Sequence, residues 1–396
     1  LIGLTGHDIL QRKRIENDMN DQRSISIMAI VSAIFFICSD AGSAEPRFNQ
    51  IQVIGSHNSY HIAPHDELKQ FLSVTSKRLV ESIDYTHLPL PEQFTRQGIR
   101  QIELDLFLDP KGGHYAKPSA RQTLKLLGKN AGEDPNRDGV MDKPGLKVLH
   151  VPDVDYATTV PTFKIALNQI RDWSLKNKNH VPILVLVELK DSRIPGPPTI
   201  PIAFDEQNIQ SVDEEIRSVF KPDEIFTPDK LRGEMQSLPE AIAKNGWPML
   251  DRLRGKILFA LDNEGKIREL YLKDHLRLEG RVMFVTPPAE NHPSAAFFKI
   301  NDPVRDFDRI QRLVAAGYIV RTRADADTRQ ARANDTKMRD RALASGAQFI
   351  STDYPVARPD FSEYRVSLPG NVITRPNPVS GKALPQIDLE KIQSGK

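Results

Sequence analysis

Ile99-Arg100-Gln101-Ile102-Glu103-Leu104-Asp105-Leu106 is an apolar run that carries two carboxylates two residues apart. Successive side chains of a strand point to opposite faces, so Glu103 and Asp105 share one face. Apolar residues cannot leave the opposite face to water. The run therefore reads as a buried strand whose acidic face looks into the interior of a barrel, at its mouth.

Seven further runs repeat the pattern, each apolar and each followed by polar residues. They are Ile51 to Ile54, then Gly55-Ser56-His57-Asn58; Leu146 to Leu149, then His150; and Ile183 to Val187, then Glu188 and Lys190. Ile257 to Leu261, Val282 to Val285, Tyr318 to Val320 (then Arg321 and Arg323) and Gln348 to Ile350 (then Ser351-Thr352-Asp353) complete the eight. Short continuous apolar runs suit parallel strands buried on both faces. Helical stretches fall between them, at Phe163 to Lys176, Asp205 to Phe220, Asp306 to Ala316 and Asn334 to Ser345. Eight strands alternating with helices predict an α/β fold, a TIM (β/α)8 barrel with polar residues gathered at the strand ends. A doubly wound open sheet is the alternative, and the count of eight favours the barrel.

Residues 45–365 form the expected catalytic barrel. Two long connections interrupt it, near 107–145 and 191–255, and are expected to decorate the active-site rim. Residues 366–396 are polar and rich in Pro and Gly, and read as a loosely packed C-terminal arm. At the other end, residues 1–44 read as an upstream extension plus a signal peptide. Met19 is the expected start, Arg23 supplies positive charge, Ile25 to Cys38 is apolar, and small residues lead to cleavage after Ala44. A transmembrane anchor is the other reading of that run, which is short for a span. The expected location is secreted or periplasmic. The single cysteine, Cys38, lies within the leader, so the mature chain would hold no disulfide.

The formal net charge of the 396 residues is only +2. That gives no reason to expect nucleic acid as a partner, nor strong generic attraction to an anionic membrane. A monomer meeting a membrane surface transiently is the expectation.

Taken together, the strand ends offer two histidines, several carboxylates, one Asn and several cations. Asn58, Glu103, Asp105 and Glu188 are hard oxygen ligands, suited to calcium or magnesium rather than zinc. His57 and His150 would stand on either side of a phosphate, one deprotonating an attacking hydroxyl and the other protonating the leaving alkoxide. Lys190, Arg321 and Arg323 would hold further phosphate oxygens. Each residue alone is more readily structural; their joint occurrence at strand ends carries the reading.

Those segments resemble a known family. Gly55-Ser56-His57-Asn58-Ser59-Tyr60-His61 is similar to the first catalytic signature of the phosphatidylinositol-specific phospholipases C. Arg100 to Asp105 resembles the second, Lys147 to His150 the strand ending in the second histidine, and Val185 to Lys190 the strand giving another metal ligand. The likeness is greatest to the bacterial calcium-dependent, Streptomyces phospholipase C1-like branch, and extends through Gly246-Trp247-Pro248, Arg254-Gly255-Lys256, Tyr318 to Thr328 and Ala344 to Tyr354. It implies a distorted barrel of the PLC-like phosphodiesterase type, one Ca2+ on Asn58, Glu103, Asp105 and Glu188, and His57 and His150 as general acid and base. It also implies cleavage of phosphatidylinositol-type lipid to diacylglycerol and a cyclic inositol phosphate. The chain departs from the eukaryotic members, which follow their second histidine with Gly where Val151 stands here. It also shows no match to their pair of lysines that read ring phosphates.

Two other functions fit the same residues. A glycerophosphodiester phosphodiesterase would use water on soluble diesters; a non-catalytic phosphate- or lipid-binding barrel would show a degraded site, whereas here every position is filled. Asp134-Pro135-Asn136-Arg137-Asp138-Gly139 begins like an EF-hand loop and is a candidate second calcium site at Asp134, Asn136 and Asp138, although its twelfth position is Gly145. His61 and His65 read as rim residues, His114 as a loop histidine within reach of the site, and Trp247 as packing.

Overall fold

The computed structural model describes residues 45–391; the leader read at residues 1–44 lies outside them. Ten strands form one sheet: β1 (Ile51–Ser56), β2 (Gln101–Phe107), β3 (Lys147–Val148), β4 (Ile183–Leu189), β5 (Ile257–Leu261), β6 (Met283–Val285), β7 (Phe297–Lys299), β8 (Ile319–Arg323), β9 (Phe349–Thr352) and β10 (Thr374–Pro376). Eight of them run in the order β6-β5-β4-β2-β1-β9-β8-β7, every neighbouring pair parallel. This is a nearly closed α/β barrel of the TIM type. The two end strands, β6 and β7, are not paired; the Lys299 amide instead donates to Thr286 Oγ1 at 2.8 Å across the seam.

The expected helices are present. Helix Phe163–Lys176 begins at Thr162, whose side chain accepts the Ile165 amide, as an N-cap should. Helices Ser211–Val219, Phe307–Ala315 and Lys337–Ser345 fall inside the other three stretches. Strands β1, β2, β5 and β9 are buried at every position, which is why they read as unbroken apolar runs. Trp247 is buried against Phe48, Phe226 and Phe284, so its expected packing role holds.

Three expectations need correction. Leu146 to Leu149 is not a barrel stave: β3 is two residues long and antiparallel to β2. The eighth stave is β7, only three residues long (Phe297-Phe298-Lys299) and ending in a lysine, too short to stand out. The C-terminal segment is not loose. β10 pairs antiparallel with β1, Ile51 opposite Pro376, and Leu389 is fully buried. Glu390 takes Arg100 Nη2 at 2.6 Å and the Val181 amide at 3.0 Å. Finally, only the start of 191–255 lies at the rim. The rest is the helical layer that carries the chain back to β5, with helices Ser211–Val219, Pro228–Arg232, Leu238–Asn245 and Leu250–Leu253.

Because Leu389 fills the core from a segment that read as solvated, Leu389→Ala is expected to cost about 2–4 kcal/mol of stability. Urea unfolding measures it, and an unchanged midpoint would mean that the arm does not contribute.

Candidate active site

β1, β2 and β4 lie side by side, and their parallel register sets Asp105 opposite Glu188. Glu103 lies two residues back on the same face of β2. One carboxylate oxygen each from Glu103, Asp105 and Glu188 fall within 4.8 Å of one another. Asp105 is completely buried and neither of its oxygens has a hydrogen-bond partner. The Lys190 ammonium lies between Asp105 (3.3 Å) and Glu188 (3.1 Å), the first contact lacking hydrogen-bond geometry. Burial pushes Glu103 and Asp105 well above the usual carboxylate range, with Arg321 and Lys190 respectively opposing it. A buried orphan carboxylate beside two more acids demands positive charge, and an all-oxygen donor set fits a hard divalent cation. Asn58, next to His57, has φ of +43° and donates from Nδ2 to the Tyr85 hydroxyl at 3.0 Å. Its side-chain oxygen Oδ1 makes no hydrogen bond among the described residues, which leaves it able to act as a ligand, while its main-chain carbonyl accepts the His61 amide at 2.9 Å.

His57 follows β1, its amide donating to the Thr352 carbonyl of β9 at 3.1 Å. Nδ1 stands 2.8 Å from Asp353 Oδ1, and Nε2 stands 3.5 Å from Glu103 Oε1. Arg323 Nη2 is also 3.4 Å from Nδ1, but a nitrogen that donates to Asp353 cannot accept there, so the shorter contact prevails. Burial, then Arg323 and Arg321, hold His57 well below its ordinary value. His87 supports the segment from beneath, donating from Nε2 to the His57 carbonyl at 2.8 Å.

His150 arrives by an unexpected route. The chain leaves β2, makes its long excursion and returns as β3, with Phe107 opposite Lys147 and Leu106 opposite Val148. Running antiparallel, it heads back toward the level of Glu103, and His150 comes two residues later. A tight turn follows: the Val151 amide donates to the Asp155 carbonyl at 2.9 Å, the Asp155 amide to the Val151 carbonyl at 3.0 Å, and Asp153 takes φ of +73°. This is the role of Val151-Pro152-Asp153. The turn folds Asp155 back so that its Oδ2 lies 2.7 Å from His150 Nδ1. Asp153 itself is buried and accepts the Ser119 and Thr199 amides, each at 2.8 Å, tying the two connections together.

The structure thus brings His57, Glu103, Asp105, Glu188, Lys190, Arg321 and Arg323 to one barrel mouth. Arg321 is not placed as expected. It is buried, with Nε on Ser351 Oγ, Nη1 on Asn301 and Nη2 on Glu103. With its donors engaged below the surface it orients Glu103 and is not free to clasp a phosphate. Arg323 keeps some exposure, as does Lys190. The loop at Asp134 to Asp138 gathers no cluster of acidic ligands among the described residues. Asp134 accepts the Asn136 amide and pairs with Arg121 at 3.1 Å, while Asn136 Oδ1 accepts the Met141 amide. Those oxygens are spent on a turn. His114 is likewise spent, its Nε2 donating to the Ile200 carbonyl at 2.8 Å.

His61 is no rim residue: it is fully buried, stacked on Tyr85 at 4.4 Å. Asp155 and Asp353, the two carboxylates on the histidines, went unassigned in the sequence. Asp353 had a signal, since it ends the last apolar run. Asp155 had none, because a turn delivers it. Lys299 lies on the missed stave and pairs at 2.7 Å with Asp262, which follows β5.

The family model described as phosphoinositide phospholipase C, Ca2+-dependent, matches residues 47–378. Among solved structures, the calcium-dependent phosphoinositol-specific phospholipase C of a Pseudomonas species is similar over 85% of this chain and 97% of that one, with a TM-score of 0.50 and 16% identity. Its myoinositol complex gives the same figures. The calcium-dependent enzyme of Streptomyces antibioticus is similar over 78% of this chain and 95% of that one, with a TM-score of 0.47 and 16% identity. No curated protein matches by sequence. The match over most of the barrel, on a mouth that gathers acids and histidines, places the chain in the calcium-dependent phosphoinositide phospholipase C family of phosphodiester hydrolases.

Proposed function

We propose that this phospholipase cleaves phosphatidylinositol-type lipid to diacylglycerol and a cyclic inositol phosphate, with His57 and His150 as its acid–base pair. The observation that carries the reading is that both histidines have Nδ1 on a buried carboxylate, Asp353 and Asp155 respectively. That contact fixes the proton on Nδ1 and leaves Nε2 to exchange a proton with substrate. One histidine takes the proton of the attacking hydroxyl as the other delivers one to the leaving alkoxide of diacylglycerol. When the attacker is a neighbouring hydroxyl of the same inositol ring, no second molecule has to be captured, and little entropy is lost. Glu103, Asp105, Glu188 and Asn58 would hold the calcium, and a bound divalent cation there stabilises charge on the phosphoryl oxygens and acidifies a coordinated hydroxyl. Arg323 and Lys190, partly exposed at the mouth, are the cations left to meet a phosphate.

The surface supports contact with a lipid surface. Val74 and Leu126 are 87% and 88% exposed. Both lie in connections that leave the mouth ends of β1 and β2, flanked by exposed Lys77, Arg78, Lys125 and Lys129. A soluble diester would need no such tips. The leader at residues 19–44 supports action outside the cytoplasm.

Phosphorus NMR with phosphatidylinositol and calcium should show a cyclic phosphate growing in, and turnover of glycerophosphocholine alone would establish the soluble-diester activity instead. Chelation should abolish turnover and calcium restore it. His57→Ala and His150→Ala should each lower kcat by about 100-fold or more, measured on micellar substrate; near-native turnover in either would break the pair.

A further inference from the structure

Beside the turn that carries His150 the structure opens a cavity of about 560 Å3, a size that takes a small ligand. Its walls come from the stretch after His61, the loop from Gly132 to Asp138 and the stretch from Val154 to Thr159, with Pro161 and Ile165 where helix Phe163–Lys176 begins. Main-chain bonds join the first and third: the Ile62 amide donates to the Ala157 carbonyl at 3.3 Å, and the Thr159 amide to the Tyr60 carbonyl at 2.8 Å. The second packs against the first at Gly132, which has φ of +67° and where a Cβ would meet the His65 ring at 2.5 Å. Most of the wall is apolar, with Ile62, Pro64, Leu68, Val154, Pro161 and Ile165 among its residues. Yet the Tyr156 hydroxyl, Thr159 Oγ1 and both ring nitrogens of His65 are buried without a hydrogen bond among the described residues. Glu67 approaches His65 Nδ1 no closer than 3.5 Å, and Tyr156 is only 6% exposed. Buried polar groups left unpaired are costly. A wall of this kind suits a ligand that brings apolar surface together with acceptor oxygens.

We propose that this cavity receives the diacylglycerol part of the lipid substrate, one acyl chain lying on the apolar wall and its ester carbonyl accepting from Tyr156 and Thr159. The inference rests on the phosphatidylinositol reading of the mouth. An ester carbonyl accepts and cannot donate, which is what unpaired hydroxyls need. The charged residues at the edge are Glu133, Asp134, Arg137 and Asp138, three acids to one base, and that base lies 3.6 Å from Asp138. The Asp155 carboxylate, which also borders the cavity, is engaged by His150 and His61. Such an edge repels a phosphate and leaves an uncharged diacylglycerol unaffected. An inositol ring would set its hydroxyls against hydrocarbon, at a cost. Leu68 and Tyr156 also belong to an apolar cluster with Leu72 and Leu124. The helices that hold those leucines, Asp66–Ser73 and Ser119–Leu126, run to the exposed tips Val74 and Leu126. That cluster links the tips proposed to meet a lipid surface with the wall of the cavity.

The test uses two phosphatidylinositols that differ only in acyl length, dibutanoyl and dihexanoyl, each below its micellar concentration so that no lipid surface takes part. Burying two more methylenes of one chain is worth about ten-fold in kcat/KM, and the wild type with calcium should show that preference for the longer lipid. Ala157→Phe, which puts a ring at the cavity, should bring the ratio close to one. The ratio is taken within each protein, so a general loss of activity does not change it. The double variant Tyr156→Phe, Thr159→Val removes two hydroxyls that the chain itself does not pair. Its melting temperature should hold or rise while kcat/KM on the dihexanoyl lipid falls about five-fold; a purely structural role would lower the melting temperature instead. A wild-type ratio near one, the same ratio in Ala157→Phe, or full activity of the double variant overturns the proposal and leaves the phosphatidylinositol reading in place. Turnover of neither lipid, with glycerophosphocholine cleaved, removes that reading and this inference with it. Hydrogen exchange on the wild type gives an answer even where the variants do not fold. Dihexanoylglycerol should protect amides in residues 62–68 and 154–159; no protection, or protection by myo-inositol alone, overturns the proposal.

Discussion

Asp105 has two buried oxygens and no hydrogen bond, with Glu103 and Glu188 gathered beside it. Two buried acids beside a third that is partly exposed are unfavourable in a folded chain unless cations are held near them. Much of the mouth can be understood as that compensation. Arg321 lies beneath Glu103, Lys190 reaches over Asp105 and Glu188, and Lys299 neutralises Asp262 nearby. The strand register leaves no alternative: with β2 and β4 parallel and Asp105 opposite Glu188, the acids converge whatever the loops do. A divalent cation bound there would complete a balance for which the side chains supply only part of the charge.

That convergence was legible because it is written in the strands. A two-residue spacing on β2 places Glu103 and Asp105 on one face by geometry alone, and the long apolar runs of β1, β4 and β5 announce burial on both faces. What could not be seen follows from the same logic. β7 is three residues long and paired on one side only, and Lys299 interrupts the apolar stretch that surrounds it. β3 looked like a stave because Leu146, Val148 and Leu149 precede His150, but nothing in a run tells its direction. β10 carries Pro376 and alternates poorly, as an antiparallel edge segment can, and so passed for an arm.

The site residues divide in the same way. Those on or directly after a strand, from His57 to Arg323, could be named in advance. His61 could not: four residues after His57 it reads as a loop histidine, and it is Tyr85 and Asp155, from two other segments, that close around the ring. Arg321 was named and misjudged. Alternation puts it inside the barrel, where a guanidinium finds Glu103, Ser351 and Asn301 before any substrate does.

The two histidines reach the same arrangement by different means. His57 is anchored by a strand end, and its carboxylate, Asp353, comes from the next strand in the barrel. His150 is anchored by a turn, and its carboxylate lies five residues along the same loop. Both present Nε2, yet their surroundings differ in charge. Arg323 and Arg321 face His57, whereas Asp155 is already shared between His150 and His61. Cations face one ring, and a carboxylate held between two imidazoles lies behind the other. Two such distinct surroundings suit a reaction in which one proton is taken as another is given. A barrel that built both sites on strands would have tied them to the same field; the turn after β3 lets the second be tuned by itself.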